Sequence, residues 1–512
     1  MSKLLKLISI TIIIVVGFLN IAIYARNGDG GFEGGISSGE VDGKTTYDYR
    51  EVVFLTGEPV VFDGALTIKK TVKQDSASGK QTITANYTYK LTNNERSGTL
   101  TKFLSYSTVI TKKDNGQTIE ETSLNPKYTE VIKVDDTTYT LRNYEFTKTN
   151  ITDSKPAVDY IAGNLWGRKT YEKGTNEGTV TVDITGDFYG YNQYWGTTET
   201  QVLDYMIESE TKGGDIVDRW GGTANIRLSS TTTKQIKYVE NEPETISFEG
   251  GFVQTQYNNS VLQYSASLPE FDATGVSTDR MLVTSDSLKL EGFPVKTRLV
   301  VPDVNHLKGH WAENDIKALY SLEVFNGEPK NFNPQEVMTR AEFAAAIVYA
   351  AKEVPADTTI TNTRTSRTSK SKQEEILSPF VDVAVESKYF DNINSAYKRG
   401  IISGRGNDRF APNDYLTMAD AVTIIIRALG LEAMAPAGGV TTSFIDDREI
   451  PAYARNHIFV AQRIGLVLGD ERGYLKPREY LTKARAAVVI NKLINYMRDD
   501  LKKDYRERLI NY

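Results

Sequence analysis

One apolar register recurs three times in the last two hundred residues of the chain, and no other feature limits its fold so much. From Ile316, Ile393 and Ile458 a small or apolar residue follows three places on, at Leu319, Ala396 and Ala461. Another comes at Val324, Ile401 and Leu466, and then a glycine at Gly327, Gly404 and Gly469. After a loop, Thr339, Thr417 and Thr482 each open a second apolar pattern in the same register. It reads Phe343, Ala346, Ile347, Ala350 and Ala351 in copy 1; Ala421, Ile424, Ile425, Ala428 and Leu429 in copy 2; Ala486, Val489, Ile490, Leu493 and Ile494 in copy 3. A spacing of three and four residues is the helical period, so each copy is a helix, a loop and a helix. A unit this small cannot bury its own apolar faces, which predicts that the copies pack on one another.

The rest of the chain has a different texture. Thr, Tyr, Val and Ile fill short runs broken by Gly, Asn and Asp, and one run places Ile83, Ala85, Tyr87, Tyr89 and Leu91 on a single strand face. Asn115-Gly116 supplies a tight hairpin turn. A length of 512 residues exceeds what one core organises. The expected architecture is therefore multidomain, an all-β antiparallel sandwich or irregular barrel over residues 45–300 followed by an all-α unit. The texture changes abruptly near Val300, so few contacts are expected to cross that boundary. Lys3 and Lys6 before the apolar run Leu7–Tyr24 read as a signal peptide over 1–25, and 26–44 as a flexible leader. The copies occupy 301–354, 379–434 and 444–496, with linkers at 355–378 and 435–443 and a charged helical tail at 497–512.

Charge and chemistry exclude several classes. The formal charge is −6 with no long basic block, which argues against nucleic acid as partner. Cysteine is absent, so neither a thiol nucleophile nor a lipidated cysteine anchor is possible. His306 and His310 stand four apart but in a loop, short of a four-ligand zinc set, and no metal or cofactor is expected. No nucleophile elbow or phosphate loop occurs.

Each copy opens on a similar element: Val301-Pro302-Asp303-Val304, Phe380-Val381-Asp382-Val383 and Phe444-Ile445-Asp446-Asp447. An aromatic precedes the first helix, Trp311 in copy 1, Tyr453 in copy 3, and Tyr389 or Phe390 in copy 2. Thr339-Arg340-Ala341-Glu342 begins the second helix of copy 1, against Thr417-Met418-Ala419-Asp420 and Thr482-Lys483-Ala484-Arg485. In these residues the region resembles the S-layer homology (SLH) domain family, whose members occur in threes. The resemblance implies a pseudo-threefold helical trimer with grooves between repeats that hold the pyruvylated sugar of a secondary cell-wall polysaccharide. It also implies a secreted protein at the cell wall or S-layer surface, with other surface-layer proteins or a second copy as further partners and no membrane contact once the signal is removed.

Thr339 and Glu342 fit a capping box and have a structural reading. Arg340 puts a cation at the positive end of a helix, an arrangement that an anion held by exposed amides would favour. It is thus the expected main contact to the pyruvyl carboxylate. Lys483 keeps the charge without the planar fork and Arg485 adds a cation, whereas Met418 leaves copy 2 without one. Gly327, Gly404 and Gly469 suit tight turns beside a ligand. Asp303, Asp382 and Asp446 either cap loops or meet sugar hydroxyls, and Trp311 and Tyr453 are the candidate stacking rings.

The β-rich half carries one dense aromatic run, Phe188-Tyr189-Gly190-Tyr191-Asn192-Gln193-Tyr194-Trp195, readable as core packing or as a glycan patch. Glu208 and Glu210 share a strand face, the expected dress of a solvated surface. The leading expectation is a noncatalytic surface protein. The alternative is a wall-anchored polysaccharide hydrolase or glycan-binding protein.

Overall fold

A computed structural model describes residues 34–38, 45–74, 80–113, 115–213, 216–240, 250–352 and 378–510. The expected signal peptide, most of the leader and the 355–378 linker except Ser378 lie outside the described residues.

Fifteen antiparallel strands form one sheet. They are β1 (Gly35–Ser37), β2 (Thr46–Val53), β3 (Val60–Gln74), β4 (Gln81–Asn93), β5 (Gly98–Lys112), β6 (Gln117–Leu124), β7 (Thr129–Val134) and β8 (Thr137–Ser154). Then come β9 (Asp159–Lys173), β10 (Gly178–Gln193), β11 (Gly196–Gly213), β12 (Ile216–Val239), β13 (Gly251–Phe271), β14 (Ser277–Glu291) and β15 (Val295–Arg298). Strands pair in chain order, except that β6 and β7 share, end to end, the place between β5 and β8, and that β15 pairs with β13 rather than β14. The alternation read in β4 holds, with Ala85, Tyr87, Tyr89 and Leu91 buried. The turn at Gly116, at φ +82°, joins β5 to β6.

The sheet rolls up until its first strands meet its last. Phe54, just after β2, sets its ring against Tyr205 of β11 and Tyr264 of β13, and Arg50 donates to the carbonyl of Lys289 on β14. The expected all-β antiparallel region is thus present, as one rolled sheet. Within it Phe62, Leu66, Tyr87, Leu100, Ile132, Val180, Leu203 and Leu262 form one core. The core also encloses charge: Lys102 meets Glu51 at 2.7 Å, Lys169 meets Glu130 at 2.7 Å, and Tyr171 donates to Glu130. Such a buried set tolerates no loss of one partner. β1 corrects the flexible leader: Gly35, Ile36 and Ser37 are buried strand residues beside β2, because Ile36 has an apolar face to fill.

The helices are α1 (Glu313–Ser321), α2 (Arg340–Ala351), α3 (Phe390–Lys398), α4 (Met418–Leu429), α5 (Arg455–Arg463), α6 (Lys483–Asn495) and α7 (Leu501–Ile510). Each first helix packs on the second helix of the preceding copy: α3 on α2, α5 on α4, and α1 on α6. A ring of backbone hydrogen bonds follows the same order, Met338 to Leu481, Leu481 to Leu416, and Leu416 to Met338, at 2.8, 2.8 and 3.1 Å.

The change of texture at 300 is real, but the apolar core continues across it. Ala157, Val158, Tyr160, Tyr191 and Trp195 belong to the same cluster as the helices. The aromatic run is therefore packing, and specifically the packing of strand ends on helix ends. The chemical reason is that α2 and α4 end with free carbonyls, and that the π-helical turn after α6 leaves the Met497 carbonyl to accept as well. Trp195 Nε1 donates to Ala350 at 2.7 Å, Tyr160 Oη to Leu429 at 2.9 Å, the amide of Ala157 to Ala428 at 2.9 Å, and Gln193 Nε2 to Met497 at 2.7 Å. The charged tail is helical as expected, and it docks as well. A π-helical turn (Tyr496–Asp500) carries α6 into α7, whose Leu501, Tyr505 and Arg508 are buried. Arg508 ties Gly430 of copy 2 to Asp153 of β8, at 2.7 and 2.6 Å.

Candidate functional site

The beginnings of α2, α4 and α6 lie where copies meet. Thr339 and Thr417 each form a full capping box, with Glu342 and Asp420, whereas Thr482 only accepts from the amide of Arg485. Asp420, a departure from the copy 1 tetrad, thus keeps its structural part. The next amides are taken by the neighbouring copy: Arg340 and Ala341 donate to Asp414 and Pro412, Met418 and Ala419 to Glu479 and Pro477, Lys483 and Ala484 to Glu336 and Pro334. The expected exposed amides for an anion are therefore not there. Ring closure lays a backbone loop over each helix start.

Arg340 is 7% exposed. Its Nε donates to the carbonyl of Phe410 at 3.0 Å and its Nη2 to that of Ser403 at 3.1 Å, and the guanidinium lies 4.8 Å from the Phe410 ring centre. Burial pushes its pKa down, although a guanidinium stays charged. The planar fork is used between copies, where it holds the 403–410 loop of copy 2 in place.

That loop presents a different cation. Arg405 is exposed, 3.2 Å from Asp414 and 3.7 Å from Asp420. Tyr453 of copy 3 donates its hydroxyl to Asp420 at 2.9 Å, and its own pKa is pushed up to about 12 by burial and by that carboxylate. Arg427 Nη1 donates to Ser403 Oγ at 3.2 Å. Arg405, Arg427, Asp414, Asp420 and Tyr453 are thus linked in a chain of contacts through the 403–410 loop, which Arg340 holds from below. Gly404 belongs to the same loop, where a Cβ would come within 2.9 Å of the Arg409 carbonyl and 3.0 Å of the Phe380 ring.

The corresponding places elsewhere carry other charges. Lys483 lies 3.0 Å from Glu336 and 3.2 Å from Glu342. Burial lowers its pKa, but hydrogen bonds to both carboxylates outweigh this and raise it. Arg485 is paired with Glu479 at 3.0 Å. Both predicted cations of copy 3 thus face carboxylates, as Arg405 does. Around the 403–410 loop three arginines stand near two aspartates.

The remaining expected residues separate by role. Asp382 accepts the amides of Phe410 and Ala411, both at 2.9 Å, and Asp446 those of Leu475 and Lys476 at 3.0 and 2.6 Å. Both staple loops, the first of their two readings. Asp303 accepts from Asn305 in an exposed turn. Trp311 and Tyr453 are 63% and 53% exposed, as stacking rings must be. In copy 2 Phe390 is core, which leaves Tyr389 as the surface ring, with Lys388 4.6 Å above it. Gly327 and Gly469 adopt φ of +103° and +79°, which strains any other residue. His306 and His310 serve separate backbone partners, Phe332 and Ala312. Glu210 pairs with Arg219 at 3.0 Å on the sheet surface beside exposed Glu208. Sequence reasoning missed Arg405, Asp414 and Arg427. Arg405 could have been found, as a cation directly after the loop glycine in copy 2 alone.

Residues 305–344 and 379–422 match the S-layer homology domain, and the chain carries that domain there. Copy 3 lies outside the matched residues but makes the same ring contacts. Among curated relatives, the amylopullulanase of Thermoanaerobacterium thermosulfurigenes is 30% identical over 192 residues, 37% of this chain and 9% of that protein. Exoglucanase XynX of Acetivibrio thermocellus is 29% identical over 37% of this chain and 16% of its own length. The surface-layer 125 kDa protein of Lysinibacillus sphaericus is 28% identical over 39% of this chain and 15% of its own. The chain thus matches less than a fifth of these relatives' lengths. Those with hydrolase names match only the S-layer homology region.

Proposed function

We propose that this chain is a secreted cell-surface protein, held noncovalently on a pyruvylated secondary cell-wall polysaccharide by a pseudo-threefold unit of three S-layer homology repeats. The observation that carries the reading is the cluster of charged and aromatic side chains around the 403–410 loop. Arg405 and Arg427 offer two cations, Tyr453 offers a ring face and Asp420 a sugar hydroxyl acceptor, and Arg340 fixes the loop that carries Arg405. A ketal-linked pyruvate supplies a carboxylate for the arginines and a pyranose for the ring. The matched domain and the surface-layer relative support a place at the cell wall. The rolled sheet is the displayed, noncatalytic part. In favour of that, the buried carboxylates Glu51 and Glu130 are each closed off by a lysine.

The test uses the full chain and purified wall sacculi, before and after removal of the secondary polymer. Binding should vanish with the polymer. Arg405→Ala should weaken binding by about ten- to a hundredfold, the worth of one charge-assisted hydrogen bond. Equal binding to stripped sacculi, or unchanged affinity in that variant, would overturn the reading.

A further inference from the structure

β14 is the last strand in the sheet order, paired with β13 on one side. Its other edge has no strand partner among the described residues. Three consecutive apolar side chains sit there in the open: Met281 is 49% exposed, Leu282 54% and Val283 67%. Because strand side chains alternate, this exposes apolar surface on both faces at once. An edge of that kind, without proline and with free backbone groups, is a template for another strand.

Two observations settle which backbone groups point outward. The amide of Gly292 donates to Asn258 on β13, whereas the carbonyl of Lys289 accepts from Arg50 on the opposite side. In an antiparallel ladder both groups of a residue point the same way. From Leu282 to Leu290, where the register with β13 is regular, even-numbered residues therefore bond to β13, and Met281, Val283 and Ser285 offer their amides and carbonyls outward; the register shifts just before Met281, beside Arg280. The Arg50 contact also covers the edge at Lys289, so the open stretch lies before it.

We propose that a second copy of this chain pairs with β14 along this stretch, antiparallel, with Val283 opposite Val283 on a twofold axis. The charges select this register. It sets Arg280 opposite Asp286 of the second copy, and Asp286 opposite the second copy's Arg280. It also sets Leu282 against Thr284 and joins Met281 and Val283 of both copies in one apolar strip. Arg280 and Asp286 are exposed, and neither forms an ion pair among the described residues. Opposed charges at such positions favour pairing, and like charges oppose it. Sliding the partner two residues further would need the edge at Lys289 that Arg50 covers. The contact is isologous and so closes on itself as a dimer. It does not depend on the wall-binding reading.

Sedimentation velocity of the purified full chain from about 1 to 100 μM should show a concentration-dependent dimer. Arg280→Asp places two acidic pairs across the axis and should weaken association at least about tenfold, while Arg280→Asp with Asp286→Arg restores it. Both positions are exposed, so circular dichroism melts should stay unchanged. Because the chain has no cysteine, Val283→Cys under mild oxidation should give a disulfide-linked dimer. A chain that stays monomeric, a dimer indifferent to Arg280→Asp, or a charge swap that fails to restore association overturns the proposal.

Discussion

The two ends of α2, α4 and α6 are held by different parts of the chain. At their beginnings, every bond comes from the repeats themselves: threonine caps within each copy, loop carbonyls from the neighbouring copy, and Arg340 reaching across to Ser403 and Phe410. At their ends the partners are Trp195, Tyr160, Ala157, Gln193 and Arg508, none of which recurs. The first end is a property of the repeat. The second is made with the sheet and the tail. It follows that the face at the helix beginnings is built from parts the copies share, while the opposite face fits the repeats to the rolled sheet.

The sharpest way to break this contrast is at the sheet end. Trp195 is fully buried, fills the junction and caps α2, so Trp195→Ala should cost about 3–5 kcal/mol. If the two halves share one core, differential scanning calorimetry of the variant should show the sheet and the helices shifting together. A helical transition that keeps its wild-type midpoint would mean that the ends are independent. At the other end, Arg340→Ala strands the buried carbonyl of Phe410 and frees that of Ser403, and should cost about 1.5–3 kcal/mol. Chemical denaturation measures this, and Arg340→Lys should recover only part, since an ammonium cannot bridge both carbonyls. Equal stability of both variants and wild type would leave the arginine a surface contact after all.

The smallest effect is expected at Glu342. Burial opposes its ionisation, but hydrogen bonds from Thr339 and the charge of Lys483 hold its carboxyl below the usual range. A depressed carboxylate contributes stability above its unfolded value near 4.3, and loses it as pH falls through the folded value. Glu342→Gln should therefore lower the melting temperature slightly at pH 7 and flatten its fall below about pH 4.3. A variant with the same acid limb as wild type would remove Glu342 from the cap.

What could be read in advance follows the same division. The helices, the capping threonines and the surface rings Trp311 and Tyr453 were legible because three copies repeat them in register. The alternation of β4 and the turn at Gly116 were legible because both signals are local. The buried place of Arg340 was not, since it depends on copy 2 folding over copy 1, and a single tetrad carries no record of its neighbour. Nor was the docking role of Tyr191 and Trp195, which look like any strand aromatics until helix ends stand opposite them. Arg405 escaped because attention to the repeated tetrad passes over residues that appear in one copy only.

The ring of Met338, Leu416 and Leu481 also fixes an order of events. Copy 1 receives a backbone partner from copy 3, and α1 finds its neighbour in α6, so neither has its native surroundings until the last repeat has emerged. Contacts this distant along the chain close slowly, because their loop entropy must be overcome before any of them is rewarded. A chain delivered from its N-terminus therefore carries two unfinished repeats behind a sheet that can already form. Truncation after copy 2 would remove the closing partners of the first, and the Arg508 clasp as well. Copy 3 thus decides when the first two copies can close.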